Sequence, residues 1–141
     1  MKFLVPVDGS KGAVRAVEYV TSSAVCLQPP VQIYLLNVQW KVAAGNVKLF
    51  ISQDTLNDHY REQGLAELAQ ARATLDASGL AYEYHISVGT PAEAIVQYAR
   101  EHDIEQIVMC KQRDGGLQSW LLGSVVSKVL HLAACPVLVI K

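Results

Sequence analysis

Five short apolar segments that alternate with helical segments constrain the fold of this chain more than any other feature of its sequence. Two of these segments, from Ile33 to Leu36 and from Val137 to Ile140, are apolar almost without interruption. A strand of this kind, without polar alternation, is typical of a parallel sheet that helices cover on both faces. The pattern therefore predicts an α/β fold whose strands are joined by right-handed crossover connections.

The predicted strands and helices follow one another in alternation along the chain. The strands are predicted at Phe3 to Val7, Val31 to Val38, Tyr82 to Val88, Gln106 to Cys110 and Pro136 to Ile140. The helices are predicted from Ser10 to Leu27, from Asp54 to Ser78, from Thr90 onward, and from Gly123 to just before Cys135. In such a sheet a ligand binds beyond the carboxyl ends of the strands, where the strand order reverses. A site is therefore expected among the residues that follow the first, second and fourth strands.

Local signals predict how the helices begin and which of their side chains face inward. Thr90, Pro91 and Glu93 together form a capping-box signal, in which Thr90 is the predicted cap. In the fourth helix, the side chains predicted to face the core are Val125, Val129, Leu130 and Ala133. In the first helix, the side chains predicted to face water are Lys11, Arg15 and Glu18.

Length, charge and composition indicate a soluble, cytoplasmic protein. A chain of 141 residues is near the usual size of one domain, and we expect a single domain over residues 1–141. The net charge of -1 lacks the basic character of a nucleic-acid binder. No apolar stretch approaches the roughly 20 residues that span a bilayer, so no membrane contact is expected. The cysteines show no Cys-x-x-Cys spacing and the histidines no ligand spacing, so neither a disulfide framework nor a metal site is expected.

Asp8 is the first candidate for a ligand contact. It follows the first strand directly, and Gly9 after it permits a tight turn into the first helix. A carboxylate at this edge of the sheet can accept hydrogen bonds from a ligand. Asp8 or Ser10 can equally serve only to cap the helix, and the sequence leaves both interpretations open.

A second candidate lies after the fourth strand, where Gly123 and Ser124 open a helix. Free backbone N–H groups and the positive end of the helix converge at such a place, and a phosphate is the anion that they favour. The alternative is that Ser124 only caps the helix and Gly123 only turns the chain. Lys111 and Arg113, in the polar segment before them, either add charge for a phosphate or are simply solvated.

Three groups of residues resemble the motifs of the universal stress protein family. They are Val5-Pro6-Val7-Asp8-Gly9-Ser10, Gly89-Thr90-Pro91-Ala92-Glu93, and Leu121-Leu122-Gly123-Ser124-Val125 followed by Cys135-Pro136-Val137-Leu138-Val139. Their order and spacing extend the resemblance over the whole chain. The resemblance implies a Rossmann-like, three-layer fold with a five-stranded parallel sheet in the order 3-2-1-4-5. It also implies a homodimer, a cytoplasmic stress-response role and, in one subgroup, a bound adenine nucleotide.

The chain departs from the pattern of the ATP-binding subgroup after the fourth strand. That pattern has a glycine, two residues, a second glycine, nine residues and then Gly-Ser or Gly-Thr. Counting back from Gly123 places Cys110 and Arg113 at the two earlier glycines, with the loop length unchanged. The hydroxyl that the family carries two residues beyond the serine is also replaced, by Val126. Side chains at residues 110 and 113 would crowd the approach of a phosphate to the backbone amides.

By matching position, the resemblance implies a set of residues around a nucleotide. They are Pro6, Val7 and Asp8 beside the adenosine, Val38 at the base edge, Met109 nearby, and Gly123, Ser124 and Val125 at the phosphates. Arg113 joins the set as a guanidinium that could hold a phosphate by bidentate hydrogen bonds in place of the missing amides. The candidate ligands are therefore ATP and AMP.

Two functions remain open from the sequence. The first is a non-enzymatic stress-response module with a degenerate cleft that binds ATP weakly or not at all. The alternative is an ATP- or AMP-binding protein with slow ATPase activity, in which Arg113 replaces the glycines of the phosphate loop. Phosphoryl transfer needs a carboxylate that positions a metal, and the only acids expected near the cleft are Asp8 and Asp114. The sequence therefore favours the first function and assigns no catalytic residue.

The last strand and the cysteines lead to further expectations. The strand from Val137 to Ile140 should lie at an apolar edge of the sheet, and such edges invite pairing. We expect antiparallel pairing with the same strand of a second subunit across a two-fold axis, in agreement with the implied homodimer. Cys26 and Cys135 are predicted to be buried, whereas Cys110 is either buried or exposed and activated beside Lys111.

Overall fold

Strands and helices alternate along the chain, as the sequence predicts. The structure is a computed structural model that describes residues 1–27, 30–41, 53–111 and 122–141, with the backbone alone at residues 53–55. In this part of the chain the elements are β1 (Lys2–Pro6), α1 (Lys11–Ala24), β2 (Gln32–Trp40), α2 (Gln53–Ser78), β3 (Tyr82–Gly89), α3 (Pro91–Glu101), β4 (Gln106–Cys110), α4 (Ser124–Leu132) and β5 (Val137–Ile140). The bounds of each strand differ from the predicted ones by no more than two residues.

The five strands form a parallel sheet in the order β3-β2-β1-β4-β5. β1 lies at the centre, where Phe3 and Leu4 pair with both β2 and β4. The chain first builds outward from β1 to β3, and it then crosses to the other side of β1 to form β4 and β5. The strand order therefore reverses at β1, and the α/β fold and strand order expected from the resemblance are confirmed.

Helices cover both faces of the sheet and enclose two apolar cores. The core on the side of α1 and α2 includes the buried residues Val5, Val17, Leu35, Leu68 and Val108. The core on the side of α3 and α4 includes Leu4, Leu36, Ile95, Ile107 and Val129. Neighbouring residues of one strand thus point into opposite cores, which is why Leu4 and Val5 of β1 and Ile107 and Val108 of β4 are apolar without alternation. Within the described ranges, no helix is long and apolar enough to cross a lipid bilayer.

The first turn of α1 is closed by a serine cap. The Ser10 Oγ accepts a hydrogen bond from the Ala13 amide at 3.2 Å, which satisfies one of the free donors at the start of the helix. Gly9 before the cap has a φ of +78, a conformation that glycine adopts without strain. The tight turn predicted from Gly9 is therefore present.

The start of α3 lacks the hydrogen bonds of the predicted capping box. Thr90 does occupy the cap position with an extended backbone, but its hydroxyl makes no capping hydrogen bond to the helix. Glu93 instead accepts a hydrogen bond from Lys128 Nζ of α4 at 2.9 Å, and this contact lowers the pKa of the Glu93 carboxyl. A tertiary contact between two helices has thus replaced the local motif.

α4 turns a face to the core that differs in part from the one predicted. Val126 and Val129 are buried, whereas Leu130 is 42% exposed. Val125 is half-buried, because it lines the cleft described below. The predicted inward position of Leu130 is therefore wrong, whereas Val125, Val129 and Ala133 do pack on this core.

The two outer cysteines differ in burial. α1 ends at Ala24, earlier than the predicted Leu27, and a turn follows it. Because this turn lies at the surface, Cys26 is exposed and the prediction that it is buried is wrong. Cys135 is half-buried against the core on the side of α3 and α4.

A hydrogen-bonded cluster of Asn37, Gln39 and Glu67 joins β1, β2 and α2. The Asn37 Nδ2 donates to the backbone carbonyl of Val7 at 2.9 Å and to Glu67 Oε2 at 2.6 Å. The Gln39 Nε2 donates to Asn37 Oδ1 at 2.7 Å and to the same Glu67 oxygen at 3.0 Å. Asn37 and Gln39 are 0% and 6% exposed, so these hydrogen bonds satisfy polar groups that water does not reach.

Close packing of α2 on β2 and β3 makes this cluster possible. A Cβ atom on Gly64 would lie 2.9 Å from Asn37 Oδ1 and 2.8 Å from Ile86 Cγ2. Any side chain at this position would push the helix away from the sheet, because real Cβ atoms do not approach neighbours so closely. Glycine at residue 64 therefore lets Glu67, one turn later, reach Asn37.

Replacing Asn37 with aspartate should destabilise the fold strongly. The change keeps the shape of the side chain, but it turns two donated hydrogen bonds into contacts between oxygen atoms, one of them with the Glu67 carboxylate. Because an uncompensated buried charge costs about 3–5 kcal/mol, we expect the free energy of unfolding to fall by that amount. Urea titration followed by circular dichroism measures the change.

The substitution Glu67→Gln provides the matched control. An amide at residue 67 can again donate toward residue 37, so the double variant Asn37→Asp/Glu67→Gln should be more stable than the single variant Asn37→Asp. A single variant whose free energy of unfolding lies within about 0.5 kcal/mol of the parent value would contradict the structural role of the cluster.

Candidate functional site

A cleft of about 940 Å³ opens beyond the carboxyl ends of β1, β2 and β4. The first turns of α1 and α4 and the middle of α2 contribute its walls. In a parallel sheet this is the place where the strand order reverses and neighbouring crossover connections diverge, which leaves room for a ligand. The volume lies within the range of about 300–1,000 Å³ that small-molecule sites occupy.

Eight of the nine residues predicted for the site line this cleft together. They are Pro6, Val7, Asp8, Val38, Met109, Gly123, Ser124 and Val125. The ninth, Arg113, lies outside the described residues. The structure therefore brings these eight residues together, and the side chains around them determine the chemistry of the cleft.

Asp8 keeps acceptor oxygens available to the cleft because Ser10 caps α1. The Asp8 Oδ1 accepts a hydrogen bond from the Ser10 amide at 3.0 Å, and the side chain is exposed. The two roles that the sequence left open are thus divided between two residues. Ser10 caps the helix, and Asp8 supports the turn and presents a carboxylate to the cleft.

α4 begins at the cleft without a side-chain cap. Gly123 is the cap residue and makes no side-chain hydrogen bond to the helix, and Ser124 is already the first helical residue. The alternative that Ser124 caps the helix is therefore wrong. Gly123, Ser124 and Val125 all line the cleft, so the free amides of the first turn lie at its wall. Their partial positive charge favours an anionic group in the cleft.

Cys110 lies in the cleft wall at the end of β4, with its side chain directed toward α1. Its Sγ accepts a hydrogen bond from Arg15 Nη2 at 3.1 Å, and the thiol contacts the Lys111 carbonyl as a donor at 3.4 Å. A Cβ atom on Gly12 would lie 3.3 Å from the Cys110 Sγ, so α1 and β4 are in close contact here. Cys110 is half-buried, which is intermediate between the two predicted environments.

Charged side chains of α1 also line the cleft. These are Lys11, Arg15 and Glu18, which were expected simply to face water. The spacing of Lys11 and Arg15 at i and i+4 could have shown that they share one face of the helix. Whether this face of α1 lines the cleft depends on how the helix packs against β4. That packing cannot be predicted from the local sequence.

Glu67 is an acid of the cleft that sequence reasoning missed. The expectation that Asp8 and Asp114 are the only acids near the cleft was therefore wrong. A signal was present in β2, where Asn37 and Gln39 are polar residues on one face of an otherwise apolar strand. Buried polar side chains on one face require partners, and α2 supplies Glu67 as their partner.

Two of the histidines lie away from the cleft, beside Tyr98 of α3. The Tyr98 hydroxyl and His85 Nδ1 are 2.6 Å apart, and the rings of Tyr98 and His102 stack with centroids 3.8 Å apart. Burial raises the pKa of Tyr98 to about 12, so the hydroxyl stays neutral near pH 7. In the part of the chain that the structure describes, no three His, Cys, Asp or Glu side chains are arranged to hold a metal ion.

Comparison of the sequence with known proteins identifies its relatives. The model of the universal stress protein family matches residues 1–141. The chain is 30% identical over 144 residues to universal stress protein MJ0531 of Methanocaldococcus jannaschii, covering 99% of this chain and 81% of the relative. It is 27% identical over 145 residues to universal stress protein YxiE of Bacillus subtilis, covering 99% of this chain and 98% of the relative.

Solved structures with the same architecture include the hypothetical protein MJ0577, with a TM-score of 0.78 and 28% identity over 99% of this chain and 94% of the other. A universal stress protein in complex with cAMP has a TM-score of 0.72 and 24% identity, covering 100% of this chain and 97% of the other. A family member from Arabidopsis thaliana with AMP bound has a TM-score of 0.68 and 23% identity, covering 100% and 91%. The last two likenesses concern the fold alone. Because the family model matches the whole sequence and the strand order agrees, this chain belongs to the universal stress protein family.

Proposed function

We propose that this protein is a stress-response module of a single universal stress protein domain, residues 1–141, whose cleft is a degenerate adenine-nucleotide site. In this proposal the cleft accepts the adenosine part of a nucleotide and holds the triphosphate of ATP weakly or not at all. The observation that carries it is the side chain of Cys110, which lies in the cleft wall where the ATP-binding subgroup has a glycine. A cytoplasmic location is part of the proposal, because the free thiols of Cys26 and Cys135 persist in a reducing compartment.

The groups around the cleft suit an adenosine. Pro6, Val38 and Met109 contribute apolar surface for a flat ring, and Asp8 contributes acceptor oxygens for hydroxyl or amino groups. The structures of relatives with cAMP and AMP support an adenine nucleotide as the class of ligand. At 24% and 23% identity those relatives share the fold, and the proposal therefore rests on the residues of this chain.

Crowding at the end of β4 is the reason to expect weak binding of ATP. The Cys110 side chain contacts Gly12 and Arg15, so it cannot move aside without loss of packing and a hydrogen bond. A glycine at this place would leave the backbone open to a phosphate, whereas a Cβ and a sulfur atom restrict that approach. Each hydrogen bond to a charged phosphate that is lost weakens binding by about tenfold or more.

The hydrogen bonds of Glu67 give little support to the alternative function, slow ATP hydrolysis with Arg113 as the phosphate-binding group. Glu67 accepts hydrogen bonds from Asn37 and Gln39 at one oxygen and from Gln63 at the other. Both oxygens of this carboxylate are therefore engaged in hydrogen bonds that stabilise the cleft wall. Phosphoryl transfer needs an acid that is free to position a metal ion, and the proposal therefore assigns no catalytic role to Glu67.

Restoring the two glycines of the family pattern should strengthen ATP binding. In the double variant Cys110→Gly/Arg113→Gly, a phosphate regains access to the backbone amides. We expect the affinity for ATP, measured by isothermal titration calorimetry, to rise about tenfold or more, while the affinity for adenosine stays the same. The alternative function predicts the reverse, because the variant removes the guanidinium of Arg113.

The variant Cys110→Ser is the control for this experiment, because it keeps the size of the side chain. Its affinity for ATP should stay near the parent value, whereas Cys110→Gly alone should give part of the gain. ATP that copurifies in stoichiometric amount with the parent protein, detected by mass spectrometry after denaturation, would contradict the proposal.

Asp8→Ala is expected to weaken the binding of adenosine itself. The change removes the acceptor oxygens that Asp8 presents to the cleft, and we expect a loss of about tenfold in calorimetry. The fold should stay intact, because Asp8 is exposed and Ser10 caps the helix. Asp58→Ala is the matched control, since Asp58 is an exposed acid of α2 that does not line the cleft. Equal affinities of Asp8→Ala and the parent, with clear binding by both, would remove Asp8 from the site.

We also propose a homodimer in which β5, from Val137 to Ile140, pairs antiparallel with its copy. The carbonyls of Pro136 and Ile140 accept hydrogen bonds from β4 and the residue after it at 3.0 Å and 2.8 Å. Because backbone groups alternate in direction along a strand, Val137 and Val139 turn their N–H and C=O groups toward the free edge. The side chains of β5 are half-buried in the single chain, so further apolar surface can be covered by a second copy.

The substitution Val139→Pro should separate the proposed dimer without unfolding the chain. Proline removes an N–H group that faces the free edge and leaves the pairing with β4 intact. We expect the parent protein to have twice the chain mass of 15.4 kDa in light scattering at micromolar concentration, and Val139→Pro to have the single mass. Val139→Thr keeps the N–H group and should remain dimeric. A parent protein with the mass of one chain would overturn the proposal.

A further inference from the structure

Charged groups divide the cleft into two parts of opposite character. Glu67 packs against Gly9 and bonds to Asn37, so Asp8 and Glu67 place two carboxylates at the ends of β1 and β2. Arg15 lies on the other side of β1, beside Cys110 at the end of β4, and Lys11 and Glu18 of the same helix also line the cleft, so two cations and one carboxylate come from α1. An anionic group is repelled by the first part and attracted by the second.

The guanidinium of Arg15 has more hydrogen-bond donors than partners in the described part of the chain. Its Nη2 donates to the Cys110 Sγ at 3.1 Å, and a cysteine sulfur is a weak acceptor. Its Nε is buried and has no acceptor among the residues that the structure describes. Within the same residues, Arg15 takes part in no ion pair at 4.0 Å or less. At the end of the guanidinium that lines the cleft, a phosphate oxygen would be a much stronger acceptor than this sulfur atom.

The packing of α1 on β4 holds Arg15 at the cleft. Gly12 lies against Cys110, with 3.3 Å between the place of its Cβ and the Cys110 Sγ, and Ala13 and Ala16 are buried. These small residues let the helix approach the strand closely, so a long side chain from the same helix reaches the end of β4. The first turn of α4 lines the same cleft, and its free amides lack a side-chain cap.

We propose that Arg15 is the phosphate-binding residue of this cleft and that its guanidinium replaces the glycine amides that the chain lacks. The assignment rests on the proposed function and deepens it, because it names a nucleoside monophosphate as the ligand that the cleft holds best. A guanidinium binds one phosphate through two parallel hydrogen bonds, and its length lets it reach past the Cys110 side chain. The base and ribose then lie toward Asp8, whose carboxylate oxygens accept hydrogen bonds from their amino and hydroxyl groups.

Calorimetry of the full chain with adenosine, AMP and pyrophosphate tests this assignment. Arg15→Met keeps an apolar side chain of similar length and removes the charge. We expect the affinity for AMP to fall about ten- to a hundredfold and the affinity for adenosine to stay the same, because hydrogen bonds to a charged phosphate are lost. Arg15→Lys should retain part of the affinity, since it keeps the charge without the planar fork.

Arg61→Met is the matched control for Arg15→Met. Arg61 is an exposed residue of α2 that does not line the cleft, and the variant loses the same charge. Its affinity for AMP should equal the parent value. An affinity of Arg15→Met for AMP within about twofold of the parent value would overturn the assignment. Equal losses for AMP and adenosine would show that Arg15 maintains the shape of the cleft, and they would overturn it as well.

Pyrophosphate separates this assignment from the proposed function. Pyrophosphate binding that disappears in Arg15→Met supports the assignment even if the parent protein does not bind adenosine, a result that would defeat only the nucleotide function. If the parent protein binds adenosine but neither AMP binding nor pyrophosphate binding depends on Arg15, only the assignment fails. A parent protein that binds none of adenosine, AMP and pyrophosphate would overturn both.

Discussion

The hydrogen bonds of Asn37 fix the relative positions of the elements that form the cleft. One bond reaches the Val7 carbonyl just beyond β1, and another reaches Glu67 on α2, so a single buried amide joins two strands and a helix. Because these groups are shielded from water, each unmade bond would leave a polar atom unsatisfied. The geometry of the cleft at β1 and β2 is therefore coupled to the stability of the protein.

The sequence predicts the layered α/β architecture well because that architecture depends on patterns that are local in the chain. The apolar strands need cover on both faces, and Gly9 and Pro91 mark the turns and helix starts that connect them. The strand order came from the resemblance to a family, since apolar patterning does not specify which strands are neighbours. The hydrogen bonds of the capping box at Thr90 were predicted incorrectly, because Glu93 contacts Lys128 of the neighbouring helix instead. The inward position of Leu130 was also wrong, although the other predicted core residues of α4 do pack inward.

The convergence of the predicted site residues on one cleft has a related reason. The carboxyl ends of parallel strands converge, so residues after β1, β2 and β4 must meet whatever their chemical character. The charges of the cleft were harder to find, because Arg15 and Glu67 enter it from helices whose approach depends on glycines. Gly12 and Gly64 set how closely α1 and α2 lie on the sheet, and only the folded structure shows those distances. The result is a cleft with carboxylates near β1 and β2 and a guanidinium near β4. A polar ligand therefore has a preferred orientation in this cleft.

The separate roles of Ser10 and Asp8 affect how the sequences of proteins of this kind can diverge. Ser10 closes the first turn of α1, and Asp8 contributes one hydrogen bond to a neighbouring amide from an exposed position. In the proposed site, folding and ligand preference thus depend on different side chains that are two residues apart. In the proposed site, a substitution at residue 8 can change the ligand specificity of the cleft while the fold is retained. Such a change does not require a compensating substitution elsewhere in the chain.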